Sequence, residues 1–355
     1  MPNTPERRRP VPITILTGFL GSGKTTLLNT LLHADHGLRV AVLVNDFGSV
    51  NIDAKLVVGV EGETVSLSNG CICCSIRGDL LQAMVQLLQR PEPPQYVIIE
   101  TSGVSDPTAV ASTFMAPELK PFFAIDSILT VVDAEQGGHA LEGEQYYLAM
   151  EQVGVADIII LNKTDLVDAA RLREIREWIG EIVPRARIIE TTFGRVPPEL
   201  ILGVGTFDLD TLQVPAHDVH VHAAGDHEHD HAHDHTMVFE TWTWSSRQPV
   251  SFKAMRRAID NLPETIYRAK GILFLADMPE NRGVLHIVGK RVTLSLGAPW
   301  AEETPYSQLV VIGAHGQVEP AKLAGLFEDT LAASQPASDA GRIRESVIGW
   351  LRSRR

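Results

Sequence analysis

The octapeptide Gly18-Phe19-Leu20-Gly21-Ser22-Gly23-Lys24-Thr25 limits what this chain can fold into more than any other stretch. It matches G-x-x-x-x-G-K-[ST], with the apolar run Ile13 to Leu16 before it and a helical pattern, Lys24 to His33, starting inside it. Glycine-permitted turns let successive backbone N–H groups converge on phosphate oxygens at a helix N-terminus. Gly18, Gly21, Ser22, Gly23 and Thr26 would form that cradle, Lys24 would reach the outer phosphates, and the Thr25 hydroxyl would take Mg²⁺.

A strand feeding such a loop belongs to a parallel sheet, and the following residues agree. Apolar runs at Ile13 to Leu16, Arg39 to Val44, Thr64 to Leu67, Tyr96 to Ile99, Ile128 to Val132, Asp157 to Leu161 and Ala186 to Ile189 read as strands. Lys24 to His33, Asp79 to Leu88 and Ala170 to Ile182 read as helices between them. This alternation predicts an α/β fold with a mostly parallel sheet. From Gln213 to Thr236 the composition changes to eight of the chain's 13 histidines and five acidic residues, with no lysine or arginine. With no apolar periodicity to bury, that stretch reads as a mobile linker. Strands at Val238 to Trp244, Ile272 to Leu275, Val284 to Val288 and Gln308 to Ile312, with a helix at Val250 to Asn261, then predict a smaller α+β domain. The expected organisation is a nucleotide domain at 1–212, a linker at 213–236, a second domain at 237–332 and a tail at 333–355 with a helical stretch from Ile343 to Leu351.

Asn162-Lys163-Thr164-Asp165, directly after an apolar strand, selects the base. A carboxylate only accepts, and guanine offers two adjacent donors where adenine presents the opposite pattern, so Asp165 points to GTP. The Lys163 stem can lie over the base and Asn162 can brace the loop. The motif disfavours an ATP-dependent kinase. Glu100 closes the strand Tyr96 to Ile99, where its carboxylate can hold Mg²⁺ directly or through water. Asp46 and Asp53, in the loop after the second strand, are the candidates for orienting the attacking water.

Cys71, Cys73 and Cys74 are the chain's only cysteines. An odd number so close together excludes a disulfide framework and marks a site. Adjacent Cys73 and Cys74 cannot point the same way along a strand, so a turn is implied, which Ser68-Asn69-Gly70 supplies. Three thiolates could occupy three corners of a tetrahedral Zn²⁺ and leave the fourth exchangeable; a redox pair and plain packing are the other readings. His227, His229, His231, His233 and His235, interleaved with carboxylates, form overlapping sites that would bind metal weakly, or else a solubilising linker.

With 31 basic against 44 acidic residues the net charge is −13, which argues against nucleic acid and anionic lipid as partners. No apolar run approaches the roughly 20 residues of a membrane-spanning helix, and no apolar segment follows the basic start as a secretory signal requires. A cytoplasmic location is expected.

GFLGSGKTTLLN, VNDFGSVNID, GCICCSIRGDL, ETSGVSDP and LNKTD, in this order, resemble the CobW-type GTPases that include the zinc metallochaperones. The resemblance covers nearly the whole chain, and Arg268-Ala269-Lys270-Gly271 looks like part of that family's C-terminal domain. It implies a P-loop GTPase domain whose CxCC lies near the nucleotide-sensing loop, so that GTP state and metal affinity are coupled. Family members usually carry Glu where this chain has Asp46, and often Glu where it has Ser49. The expectation is a GTP-hydrolysing metallochaperone using GTP, Mg²⁺ and Zn²⁺. It would hand metal to a client metalloprotein and form a homo-oligomer dependent on metal or nucleotide. An assembly GTPase for cobalamin or a metalloenzyme, using another metal, and a metal buffer remain as alternatives.

Overall fold

Seven of the apolar runs line up side by side. In the computed structural model, which describes residues 10–45, 64–67, 82, 84–138, 141–203, 219–223 and 238–334, these runs are β1 (Val11–Thr17), β2 (Val40–Asn45), β3 (Thr64–Leu67), β4 (Tyr96–Glu100), β5 (Phe123–Asp133), β6 (Ile158–Asn162) and β7 (Ile188–Glu190). They form one sheet in the order β3-β2-β4-β1-β5-β6-β7, every neighbouring pair parallel. β4 and β6 are buried at every position, as helix-covered parallel strands must be.

The helices are α1 (Lys24–His33), α2 (Pro107–Phe114), α3 (Gly143–Val155), α4 (Ala169–Ile182) and the single turn α5 (Pro198–Leu202), with 84–88 also helical. Met84, Leu87, Val110 and Phe114 pack with Ile13, Ile15, Leu43 and Val97. Val153 of α3 and Ile175, Trp178 and Ile179 of α4 pack with Val132, Ile159 and Leu161. The sequence pattern leaves out α2 and α3. Yet α2 starts where a chain should start a helix: the Asp106 side chain accepts from the Thr108 N–H at 2.7 Å, with Pro107 in the first turn. α4 is capped alike by Asp168, which accepts from the Arg171 N–H at 2.8 Å.

The chain divides into two compact units, 1–204 and 205–355. The second is an antiparallel sheet of β8 (Val219–Ala223), β9 (Val238–Ser246), β10 (Ile266–Phe274), β11 (Asn281–Val288), β12 (Arg291–Pro299) and β13 (Ser307–Ala314), in the order β12-β11-β10-β13-β9-β8. α6 (Phe252–Asp260) and α7 (Pro320–Glu328) cover it. Their core is aromatic: Phe327 stacks on Trp242 at 6.0 Å between ring centroids and lies 5.6 Å from Trp244.

One expectation is corrected. The histidine-rich stretch does not read wholly as linker, because residues 219–223 pair with β9. Val-His-Val-His-Ala alternates with period two, which is strand patterning even when every second residue is polar. The rest of the tract and residues 335–355 lie outside the described residues. Among the described residues no helix is long and apolar enough to cross a membrane.

Candidate nucleotide site

The phosphate loop leaves β1 at the carboxyl edge of the parallel sheet and runs into α1. Two glycines there are required by space as well as by backbone angle. Gly18 has φ +135° and a Cβ on it would stand 2.2 Å from the Val131 carbonyl oxygen; Gly23 has φ +104° and its Cβ would stand 2.3 Å from Asn162 Nδ2. Lys24 folds back over the loop, its Nζ donating to the carbonyls of Gly18 at 2.8 Å and Phe19 at 3.1 Å. Gly21 and Thr26 are exposed, while the buried Ser22 Oγ has no hydrogen-bond partner among the described residues.

Thr25 and Glu100 meet although 75 residues separate them: Thr25 Oγ1 donates to Glu100 Oε1 at 2.8 Å. Parallel pairing causes this, since Glu100 lies in register with Leu16 at the edge where the loop begins. Behind it, Thr101 Oγ1 donates to Thr17 Oγ1 at 3.0 Å. A hydroxyl and a carboxylate side by side at a phosphate cradle are hard oxygen ligands of the kind Mg²⁺ takes, so the residues present fit that ion.

Asn162 joins three segments. Its Nδ2 donates to the Ser22 carbonyl at 2.9 Å, and its Oδ1 accepts from the Gly194 N–H at 3.0 Å. Lys163, left-handed at φ 62°, reaches Asp133, with Nζ 2.6 Å from Oδ2. The other oxygen of Asp133 accepts from the backbone N–H groups of Glu135 at 2.8 Å and Gln136 at 3.0 Å, so the carboxylate is fixed before Lys163 arrives. Asp165 stands exposed in the turn Thr164–Leu166, its carboxylate unpartnered among the described residues. Beside this turn, Phe193 is 65% exposed at φ 53°.

Asp133, Gly194 and Gln152 are additions that sequence reasoning missed. Asp133 had a signal, a polar residue closing the apolar strand Ile128 to Val132, as Asn162 closes its own. Gln152 on α3 is 1% exposed and its Nε2 donates to the carbonyls of Gly103 at 3.1 Å and Ser105 at 3.4 Å, tying down the segment after Glu100.

The structure thus brings together Gly18, Ser22, Gly23, Lys24, Thr25, Glu100, Asn162 and Lys163. Asp46, Asp53, Cys71, Cys73, Cys74, His227, His229, His231, His233 and His235 lie outside the described residues. The described strands that precede Asp46 and the cysteines in sequence, β2 and β3, are parallel neighbours, and both end at the edge of the sheet where β1 runs into the phosphate loop. Among the described residues no group of three or more His, Cys, Asp or Glu is placed to hold a metal ion.

Residues 12–190 match the family model described as CobW/HypB/UreG, nucleotide-binding domain, and residues 239–331 match the cobalamin synthesis protein cobW C-terminal domain. The chain is 32% identical over 352 residues to a zinc chaperone CobW of Sinorhizobium sp, covering 89% of this chain and 96% of that one. It is 32% identical over 313 residues to the zinc chaperone YjiA of Escherichia coli, covering 86% and 94%. It is also 32% identical over 324 residues to zinc-regulated GTPase metalloprotein activator 1 of Dictyostelium discoideum, covering 80% and 67%.

Proposed function

The chain belongs to the CobW/HypB/UreG family, and from that premise we propose that it is a GTP-hydrolysing metallochaperone which takes up Zn²⁺ at Cys71, Cys73 and Cys74 and passes it to a client metalloprotein as the nucleotide changes. The observation that carries the nucleotide half is Asn162, whose one amide ties the phosphate loop to the turn bearing Asp165. Phosphate recognition and base recognition are thereby held at a fixed spacing, as a guanine nucleotide needs.

Each residue has a separable task. The Asp165 carboxylate accepts the two guanine donors, and the Lys163 stem, held by Asp133, provides the platform under the base. Lys24 exchanges two neutral carbonyls for anionic phosphate oxygens, a stronger class of hydrogen bond. Glu100 takes the Thr25 hydroxyl proton as a hydrogen bond and so turns the oxygen lone pairs outward. Mg²⁺, when bound by these oxygens, neutralises charge on the phosphates. Asp46 or Asp53 orients the water that attacks the γ-phosphorus as the bond to the β-phosphate oxygen breaks, giving GDP and phosphate.

Zn²⁺ is the cargo. Structural zinc sites hold the ion with about 10–16 kcal/mol, so release is slow unless the site is weakened. A thousandfold loss of affinity takes about 4 kcal/mol, which differential GTP and GDP contacts to a switch loop, ordinarily worth about 1–3 kcal/mol of coupling, approach. What supports coupling is that β2 and β3, the strands that precede Asp46 and the cysteines in sequence, are parallel neighbours ending at the nucleotide edge. The histidine tract collects further ions weakly.

The test is a competitive Zn²⁺ titration against a chelator with GTP analogue, GDP or no nucleotide. The expected result is tighter binding in one nucleotide state, abolished when all three cysteines are changed to serine while GTP binding persists. Three superimposable curves would leave a metal buffer as the better account.

A further inference from the structure

β12 is the outer strand of the antiparallel sheet, with only β11 beside it among the described residues. The two-residue turn Gly289-Lys290 makes Val288 and Arg291 a hydrogen-bonded pair, so by antiparallel alternation the N–H groups of Leu294 and Leu296 point away from β11. Open edges are ordinarily blunted with charge or proline; β12 has these only at its ends, Arg291 and Pro299, and residues 292–298 between them read Val-Thr-Leu-Ser-Leu-Gly-Ala. Thr293, Ser295 and Leu296 are exposed.

Helix α6 runs alongside. Between it and β12 lies a cavity of about 100 Å³, walled by Phe252, Met255 and Ile259 from the helix and Val292 and Leu294 from the strand, with Arg256, Asp260 and Lys290 around it. The surroundings are basic in a chain of net charge −13. Lys253, Arg256 and Arg257 are exposed on α6, Lys290 and Arg291 lead into β12, and Asp260 is the single carboxylate of these two segments. Arg256 has no ion-pair partner among the described residues.

We propose that this groove binds an extended segment of a partner protein, added to the sheet as a strand beside β12, with an apolar side chain in the cavity and acidic residues facing Arg256. Strand addition supplies main-chain hydrogen bonds whatever the sequence, while a side-chain pocket and a charge supply selectivity. A second copy pairing through its own β12 fits poorly, since the one charge that strand carries, Arg291, is basic. None of these residues belongs to the nucleotide site or the cysteine motif, so binding here goes beyond the metallochaperone reading and needs neither nucleotide nor cargo.

A phage-displayed library of random decapeptides, selected on the full-length protein without nucleotide or metal, should enrich an apolar residue flanked by Asp or Glu. A synthetic peptide of the enriched sequence should lose about tenfold or more in affinity by fluorescence anisotropy on Arg256→Glu. It should lose as much on Leu296→Pro, which removes an outward N–H from an edge strand. Arg256 lies on an exposed helix face, so that variant keeps the test open if Leu296→Pro does not fold. GDP affinity should be unchanged in both. No enrichment over the naive library, enriched peptides without acidic residues, or binding indifferent to Arg256→Glu would overturn the proposal, and indifference to a folded Leu296→Pro would overturn the strand pairing. Dimerisation of the wild type that Leu296→Pro abolishes would assign the edge to a second copy instead. Selection of acidic peptides by a protein that binds no GTP would uphold the groove and sink the function proposed above.

Discussion

The parallel sheet joins strands distant in sequence, β1 lying between β4 and β5, whereas β10, β11 and β12 of the antiparallel sheet follow one another through the chain and pair in that order. Their interiors differ as well. The first buries a chain of polar groups, with Thr14 Oγ1 2.8 Å from Tyr96 OH and 2.9 Å from Ser127 Oγ, and Tyr96 OH donating to Asp126 at 2.7 Å. The second centres on Trp242, Trp244 and Phe327. Buried polar groups must each find a partner at the right place, so they specify position; an aromatic cluster supplies area and tolerates imprecision. Damage to the first unit should therefore appear as lost ligand binding, and damage to the second as lost stability.

The largest effect tests that division directly. Phe327→Ala empties a site between two tryptophans and should lower the stability of the second unit by about 3–5 kcal/mol. A calorimetric scan should show one transition moving down while GDP affinity stays put; a parallel fall in GDP affinity would break the separation. Lys24→Ala is the mirror experiment. Turnover should drop roughly 10²–10³-fold through loss of a charge at the phosphates, with both thermal transitions in place. Asp165→Asn turns an acceptor into a donor facing guanine, and should cost about 100-fold in GTP affinity by isothermal titration while xanthine nucleotide gains. Asp133→Asn is the finest probe, since it keeps the shape and removes the charge that holds Lys163. A loss of about tenfold in GDP affinity is expected, with the preference for guanine over xanthine unaltered because Asp165 is intact.

The strands of the first unit were legible because nearly continuous apolar runs of four to eight residues, bounded by turn residues, are what a doubly covered parallel strand requires. α2 escaped because eight mostly small residues carry little periodicity, and Asp106-Pro107, a start signal, is as common in turns; α3 escaped because its buried face is Ala149, Gln152 and Val153, a polar residue standing where the pattern asks for an apolar one. β12 was legible and passed over, since Arg-Val-Thr-Leu-Ser-Leu alternates as a strand with one side to solvent does. Within the site, motifs of fixed spacing were readable and cross-connections were not. The Asn162 contact with Ser22 spans 140 residues, and only the parallel register brings such positions together. Lys163 meets Asp133 by the same route, strand end against strand end.

Asn162 also makes the protein intolerant of a change that size alone would call harmless. Its amide is directional: the nitrogen end faces a carbonyl and the oxygen end faces an N–H. Asn162→Asp swaps that nitrogen for oxygen with almost no change in volume, and at 2% exposure the new carboxylate would lie against the Ser22 carbonyl with no donor between them. Asparagine to aspartate, the gentlest of substitutions by size, is here a reversal of polarity in the brace between phosphate loop and base turn, so the variant should lose guanine-nucleotide affinity while its strands and helices remain folded.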